Sequence, residues 1–378
     1  MASRGALTRH NESRNGFLGK SARTLRYGAA AVIAVALAAA GYLLWFSLRP
    51  LSPPPEIYLV RPGTSLHDFS RDLYRQHILS DPRSLVLLAY LHGESRDLKA
   101  GEYRFAPGIT ALGILHQVIA GKVVQYPFTL VDGWTFAEVM QALDSAPHML
   151  HTLKNLTPAE IMVSLGHPGI NPEGEFYPDT YDYASGMSDR DVLQRAYRRM
   201  QRVLEREWAM RDRGVPLKSP YEALILASII EKESGLPSER RIIAGVFVNR
   251  LRLGMKLQTD PTVIYGMGSS YHGKITFADL RRWTPYNTYL IRGLPPTPIA
   301  MPGRDALHAA LNPASTKALY FVARGDGTHV FSDTLQAQDR AVIKYQLHGV
   351  APQPATKRHR RRQVQHSPAK RRIRDAAL

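Results

Sequence analysis

The chain reads as an α+β protein with one membrane-spanning helix near its start, a small β-α-α unit after it and a mixed α/β domain beyond. Three observations predict this. Residues 27–48, YGAAAVIAVALAAAGYLLWFSL, carry no charge over the length a helix needs to cross roughly 30 Å of hydrocarbon. From Ile57 to about residue 150, short β-prone runs alternate with capped helical segments. From about Thr157 onward, long helical patterns and aromatic-rich loops take over.

Taken in order, Arg4, Arg9, Arg14, Lys20, Arg23 and Arg26 precede the apolar span, so the positive-inside rule keeps residues 1–26 cytoplasmic and sends everything after about Arg49 outside. A cleaved signal would have a shorter apolar core and a small-residue site at its end. Here YLLWF continues past the alanines, so the span reads as an uncleaved anchor. Residues 49–56, RPLSPPPE, form a proline-rich spacer. Folding resumes near Ile57, with a strand, a Pro-Gly turn, a helix opened by Thr64 or Ser65 and another opened by Ser80 or Asp81. LKAGEYRF and YPFTLVDG add strands, and Thr135 with Glu138 predicts a capping box.

These elements make residues 57–150 a first domain and 151–350 a second, with the edge somewhere in 145–165. The stretch around 188–213 places Val192, Leu193, Ala196, Met200 and Leu204 at helical spacing, with charges between them. Ser219, Pro220 and Glu222 then open a helix that shows no polar stripe from Leu224 to Ile230. A helix ended by Gly254, a long loop over YNTYLIRGLPPTPIAMPG and a hairpin turning at Gly325-Asp326-Gly327 follow. Residues 351–378 are too polar and too repulsive to pack.

Composition narrows the function. The net charge of the 378 residues is +17. Six Lys/Arg and one Glu lie before residue 27, and nine Lys/Arg and one Asp after residue 356, which leaves +4 for the 330 residues between. That distribution argues against a folded nucleic-acid-binding face. With no cysteine, disulfides, thiolate metal sites and a Cys nucleophile are excluded. RNGFLGKS has Arg14 where a phosphate loop needs Gly, GMGSSY ends in Tyr271, and neither H-E-x-x-H nor G-x-S-x-G occurs. His148 and His151 read as a helix surface pair. No metal and no cofactor is expected.

What remains is a carboxylate-centred site at LASIIEKESG. Glu231 and Glu233 end an apolar helix, where poor solvation raises a carboxyl pKa and suits it to general acid work. Two residues apart, they point about 200° apart and cannot form one facing pair. Periodicity does not choose between them. Thr259, Asp260, Tyr286, Asn287 and Thr288 sit in segments rich in turn residues and are candidate substrate contacts, with loop-capping hydrogen bonds an equal reading for each. A salt bridge to Arg240 or Arg241 is an equal reading for Glu233, and His329 reads as a hairpin residue with a satisfied ring.

LASIIEKESG, VFVNRLRLGMKLQTDPTVIYGMG, YNTYLIRGLPPTPIAMPG, ALHAALNPA and LYFVARGDGTHVFS, with VDGWTF and EGEFYPDTY upstream, resemble the endolytic murein transglycosylase (MltG or YceG-like) family over roughly Ile57 to Gln346. The resemblance implies a LysM-like subdomain around Ile57–Leu91 and a catalytic domain after it. It further implies lytic cleavage of peptidoglycan between N-acetylmuramic acid and N-acetylglucosamine, leaving a 1,6-anhydro end, without a cofactor. The family's catalytic acid falls on the first Glu of its E-K-E segment, Glu231 here. Glycan strands are the implied partner, and peptidoglycan synthases (penicillin-binding proteins) are candidate partners; a non-catalytic peptidoglycan-binding scaffold is the rival reading. Asp132 stands where the family pattern leads one to expect Glu, and the basic tail is an addition.

Overall fold

The computed structural model describes residues 12–53, 56–94, 98–233 and 236–346. The first eleven residues and the basic segment beyond Val350 lie outside them. Helix α1 spans Glu12–Leu48, and its Arg26–Leu48 portion is long and apolar enough to cross a membrane.

Packing begins earlier than the linker reading predicts. Phe46 and Leu51 are buried in the first core, and Leu51 exchanges backbone hydrogen bonds with Ile109 (2.8 Å) and Gly108 (2.9 Å). The apolar span thus runs directly into the first folded unit. That unit contains β1 (Tyr58–Val60), α2 (Leu66–Arg75), α3 (Pro82–Leu91), β2 (Gly101–Tyr103) and α4 (Ala111–Ala120). Ser65 and Asp81 cap α2 and α3 by accepting the Asp68 and Arg83 N–H groups. β1 and β2 pair antiparallel with Tyr58 opposite Tyr103. Helix α4, which the sequence reading passed over, opens on Thr110 and closes on Gly121 at φ 67°, the left-handed cap that glycine adopts most cheaply. It fills the core with Ile114, Leu115 and Val118, against Phe69, Leu73 and Leu85.

Next come β3 (Gln125–Thr129), α5 (Phe136–Asp144), α6 (Pro158–Ser164) and β4 (Thr180–Ala184). Thr135 and Glu138 make the expected capping box. β3 and β4 pair antiparallel, Phe128 opposite Tyr181, so one small sheet joins residues on both sides of the 145–165 edge. His148 and His151 lie outside any helix: His148 takes φ 58° and stacks on Tyr126 at 4.4 Å.

The remaining body is α7 (Asp189–Ala209), α8 (Pro220–Glu233), α9 (Pro237–Arg252), α10 (Asp260–Met267), α11 (Phe277–Arg281), α12 (Arg304–Leu311), the hairpin β5 (Tyr320–Ala323) and β6 (His329–Ser332), and α13 (Leu335–Tyr345). α8 sits at its centre against α7, α9, α10 and α12. Residues Ala223 to Ile230 are all buried, which is why the sequence shows no polar stripe there. Each fully buried Leu or Ile contributes roughly 1.5–3 kcal/mol of transfer free energy. α9 can approach the 312–316 segment because residue 245 is glycine: a Cβ there would come within 2.6 Å of the Ala314 carbonyl oxygen.

Candidate active site

The buried run of α8 carries Glu231 and Glu233 to the rim of the helical body, where they leave the helix on different sides. Glu231 turns toward the loop after β3 and the start of α12. One of its oxygens accepts from Arg240 Nη2 at 2.7 Å and the other from the Gly303 N–H at 2.9 Å, and its side chain is 4% exposed. The ion pair expected as an alternative for Glu233 is thus formed by Glu231, while Arg241 Nε donates to the Asn312 carbonyl. Gly303 is glycine for a steric reason: a Cβ there would collide with Asp132. Burial pushes the Glu231 carboxyl above its ordinary range, with Asp132 and Asp305 adding and the Gly303 N–H and Arg240 opposing. Burial raises Asp132 as well.

Glu233 turns the other way. Thr259 donates its hydroxyl to the Glu233 carboxylate. The same carboxylate opens onto a cavity of about 430 Å³ whose walls include Arg250, Asp260, Tyr289 and His329. Burial pushes its pKa up to about 7; Asp260 adds to the shift, and the Thr259 hydroxyl, His329 and Arg250 oppose it. Tyr289 donates to Asp260 at 2.6 Å. Arg250 is anchored by the Leu319 and Leu257 carbonyls at 2.6 and 2.8 Å. His329 is satisfied as expected, its Nδ1 2.7 Å from Glu239 Oε2.

Of the sequence-predicted contacts, Thr259 and Asp260 therefore gather around Glu233. Asn287 and Thr288 are wholly buried. Asn287 Nδ2 donates to the Asp279, Leu280 and Arg282 carbonyls, and its Oδ1 accepts the Tyr289 N–H. Thr288 Oγ1 accepts the Thr259 N–H at 3.1 Å and bonds Thr262 Oγ1 at 2.9 Å. These two shape the site from behind, which is the loop-capping reading. Tyr286 bonds Thr297 at 2.9 Å and meets Tyr265 edge to face.

Sequence reasoning missed Arg250 and Tyr289. Arg250 stands with Asn249 and Arg252 in the last turn of α9, where a basic residue usually faces solvent, and no local pattern marks it. Gln258, immediately before Thr259, takes φ 51°, a left-handed conformation costly for a non-glycine residue, and it is held by a bond from its N–H to the Thr288 carbonyl. Among the described residues no group of His, Asp and Glu could hold a metal ion. A carboxyl that stays partly protonated near neutrality, facing a polar cavity, can deliver a proton and then take one back.

The sequence profile described as the YceG-like family matches residues 58–344. The chain is 28% identical over 302 residues to an endolytic murein transglycosylase of Bacillus subtilis (strain 168), covering 75% of this chain and 82% of that one. It is 28% identical over 179 residues to an endolytic murein transglycosylase of Streptococcus pneumoniae serotype 2, covering 46% of this chain and 32% of that one. A crystal structure of a yceG-like protein from Listeria monocytogenes is 26% identical, covers 75% of this chain and 98% of its own, and superposes with a TM-score of 0.47. With three quarters of its length matched from the first strand into the last helix, this chain belongs to the YceG-like family.

Proposed function

We propose that this chain is a membrane-anchored lytic transglycosylase that cuts peptidoglycan strands internally between N-acetylmuramic acid and N-acetylglucosamine, leaving 1,6-anhydro ends and ending strand elongation. The observation that carries the reading is Glu233: a carboxyl with a pKa near 7, hydrogen-bonded by Thr259, on a polar cavity. The relatives named endolytic murein transglycosylases support the substrate class.

Lytic cleavage needs one group to act twice. The protonated carboxyl gives its proton to the leaving glycosidic oxygen as the C1–O bond breaks and oxocarbenium character builds at C1. The resulting carboxylate then takes the proton of the sugar's own C6 hydroxyl, whose oxygen closes on C1. No water is consumed. Geometry favours Glu233 over Glu231, on which the family motif places the acid, because Arg240 and the Gly303 N–H occupy both oxygens of Glu231. In this proposal Glu231 fixes the loop holding Asp132 and Gly303, Thr259 orients Glu233, and Asp260 and Tyr289 meet the sugar.

The β1-α2-α3-β2 unit is proposed as the LysM-like glycan contact, and residues 26–48 as a single anchor in the inner (cytoplasmic) membrane, with the N-terminus cytoplasmic and the body periplasmic. Peptidoglycan synthases are proposed partners. The test is incubation of the detergent-solubilised chain with uncrosslinked glycan and mass spectrometry of the new ends. Anhydro ends support the proposal, reducing ends mean a hydrolase, and no product at all moves the reading to a scaffold.

A further inference from the structure

Helix α7 presents Arg195, Arg198, Arg199 and Arg202 at i, i+3, i+4 and i+7, a single helical face. Between this face and the outer edge of β4 runs a groove of about 490 Å³, lined by the four arginines together with Thr180 and Asp182. Arg195 with Arg199, and Arg198 with Arg202, are like charges four residues apart, an arrangement that destabilises a helix by a few tenths of a kcal/mol per pair.

The compensation within the fold is partial. Arg199 pairs with Asp179 at 2.5 Å and Arg195 lies over the Tyr181 ring at 5.9 Å. Arg198 Nε donates to the Gln194 carbonyl of its own helix, at 3.2 Å. Arg195 Nε is buried without a hydrogen-bond partner among the described residues. Arg198 and Arg202 are exposed, and the next turn adds Glu205 and Arg206 to the same side. A guanidinium fork matches a carboxylate in two parallel hydrogen bonds, so the face is built for anions spaced along a chain. The groove lies toward the Glu231 side of α8: the Asp179 carbonyl accepts the Leu130 N–H at 3.0 Å, two residues before the Asp132 that borders Glu231.

We propose that this groove holds the peptide stems borne by the glycan strand, their carboxylates paired with Arg198 and Arg202. The proposal rests on the peptidoglycan reading and deepens it, since the glycan backbone alone would leave these cations unmatched.

The test is the double variant Arg198→Gln/Arg202→Gln in the full detergent-solubilised chain. kcat/KM is measured on uncrosslinked peptide-bearing strands and on the same strands stripped of peptide by an amidase. The wild type should prefer the peptide-bearing strands, and the variant should lose about tenfold on these, as expected for two partly exposed charge pairs, with no change on stripped strands. The Lys/Lys variant should recover part of the loss. Equal loss on both substrates, or no loss on either, overturns the proposal. So does a variant whose glycan preference is intact while its retention on phosphatidylglycerol vesicles falls, which would make the face a lipid contact. If the wild type cleaves nothing, the function reading fails separately, and fluorescence anisotropy of a labelled stem peptide then decides: salt-sensitive binding that requires Arg198 and Arg202 upholds the groove, and its absence overturns it.

Discussion

Ser228 Oγ lies 3.0 Å from the backbone nitrogen of Ile299 and accepts its N–H, while its own proton goes to the Ile225 carbonyl at 2.7 Å. This wholly buried pair of bonds fastens α8 to the proline-rich segment that leads to Gly303, and so fixes the wall opposite Glu231. Ser228→Ala strands the Ile299 N–H in the core, which should cost about 1–3 kcal/mol. Chemical denaturation of the solubilised body measures it, and an unchanged midpoint would mean that water replaces the hydroxyl.

Exchanging the two carboxylates one at a time decides the acid. Glu233→Gln keeps size and hydrogen bonding but cannot donate the proton, so strand cleavage should fall by roughly 10²–10⁴ with the fold intact by circular dichroism. Glu231→Gln removes the buried negative charge that faces Arg240, so a lowered thermal midpoint and a smaller loss of cleavage are expected. The reverse ranking, with Glu231→Gln fully folded and inactive, would return the role to Glu231, where the family motif puts it.

The pH profile of kcat/KM should follow the same carboxyl. A general acid must begin protonated, and Glu233 has a pKa near 7, so activity should decline as pH rises through about 7. Thr259→Val removes a hydrogen bond that favours the carboxylate and should move this limb to higher pH. A profile flat from pH 5 to 9 would exclude Glu233 as the proton donor.

Glu175 supplies a linkage test away from chemistry. It is buried, accepts from Gln201 at 2.7 Å, and burial raises its pKa to about 7. The folded form therefore holds the proton more tightly than the unfolded chain. The resulting stability is complete below the unfolded value of 4.5 and is lost as pH rises through about 7. Glu175→Gln should flatten part of this slope and raise stability at pH 8 by on the order of 2 kcal/mol. Thermal melts at pH 5 and pH 8 compare the two proteins, and equal slopes would show that Glu175 ionises without penalty.

Orientation is checked by fusing a reporter that is active only in the cytoplasm to the C-terminus. It should stay silent in the proposed orientation, in which the six basic residues before the apolar span keep the N-terminus inside by the positive-inside rule.

The sequence by itself determined much of the local structure. The apolar span, the caps at Thr135 and Ser219, the Gly-Asp-Gly hairpin and the buried face of α7 are written in the spacing of a few neighbouring residues and formed where that spacing put them, while between Thr64 and Ser65, and between Ser80 and Asp81, the structure chose the second of each pair as cap. Helix α4 was missed although Thr110 and Gly121 punctuate it, because its apolar run lies between two short strands and periodicity alone cannot separate it from either. The two carboxylates of α8 were legible as a pair; periodicity left open which of them acts, and the family resemblance put the acid on Glu231. Helical geometry states only that they diverge. What each one meets depends on Arg240, Gly303 and Asp132 on one side and on Thr259, Arg250 and Tyr289 on the other, groups up to 99 residues away in sequence. Burial and hydrogen bonding set a carboxyl's proton affinity, and both are properties of the assembled surroundings, so only the tertiary structure could decide them.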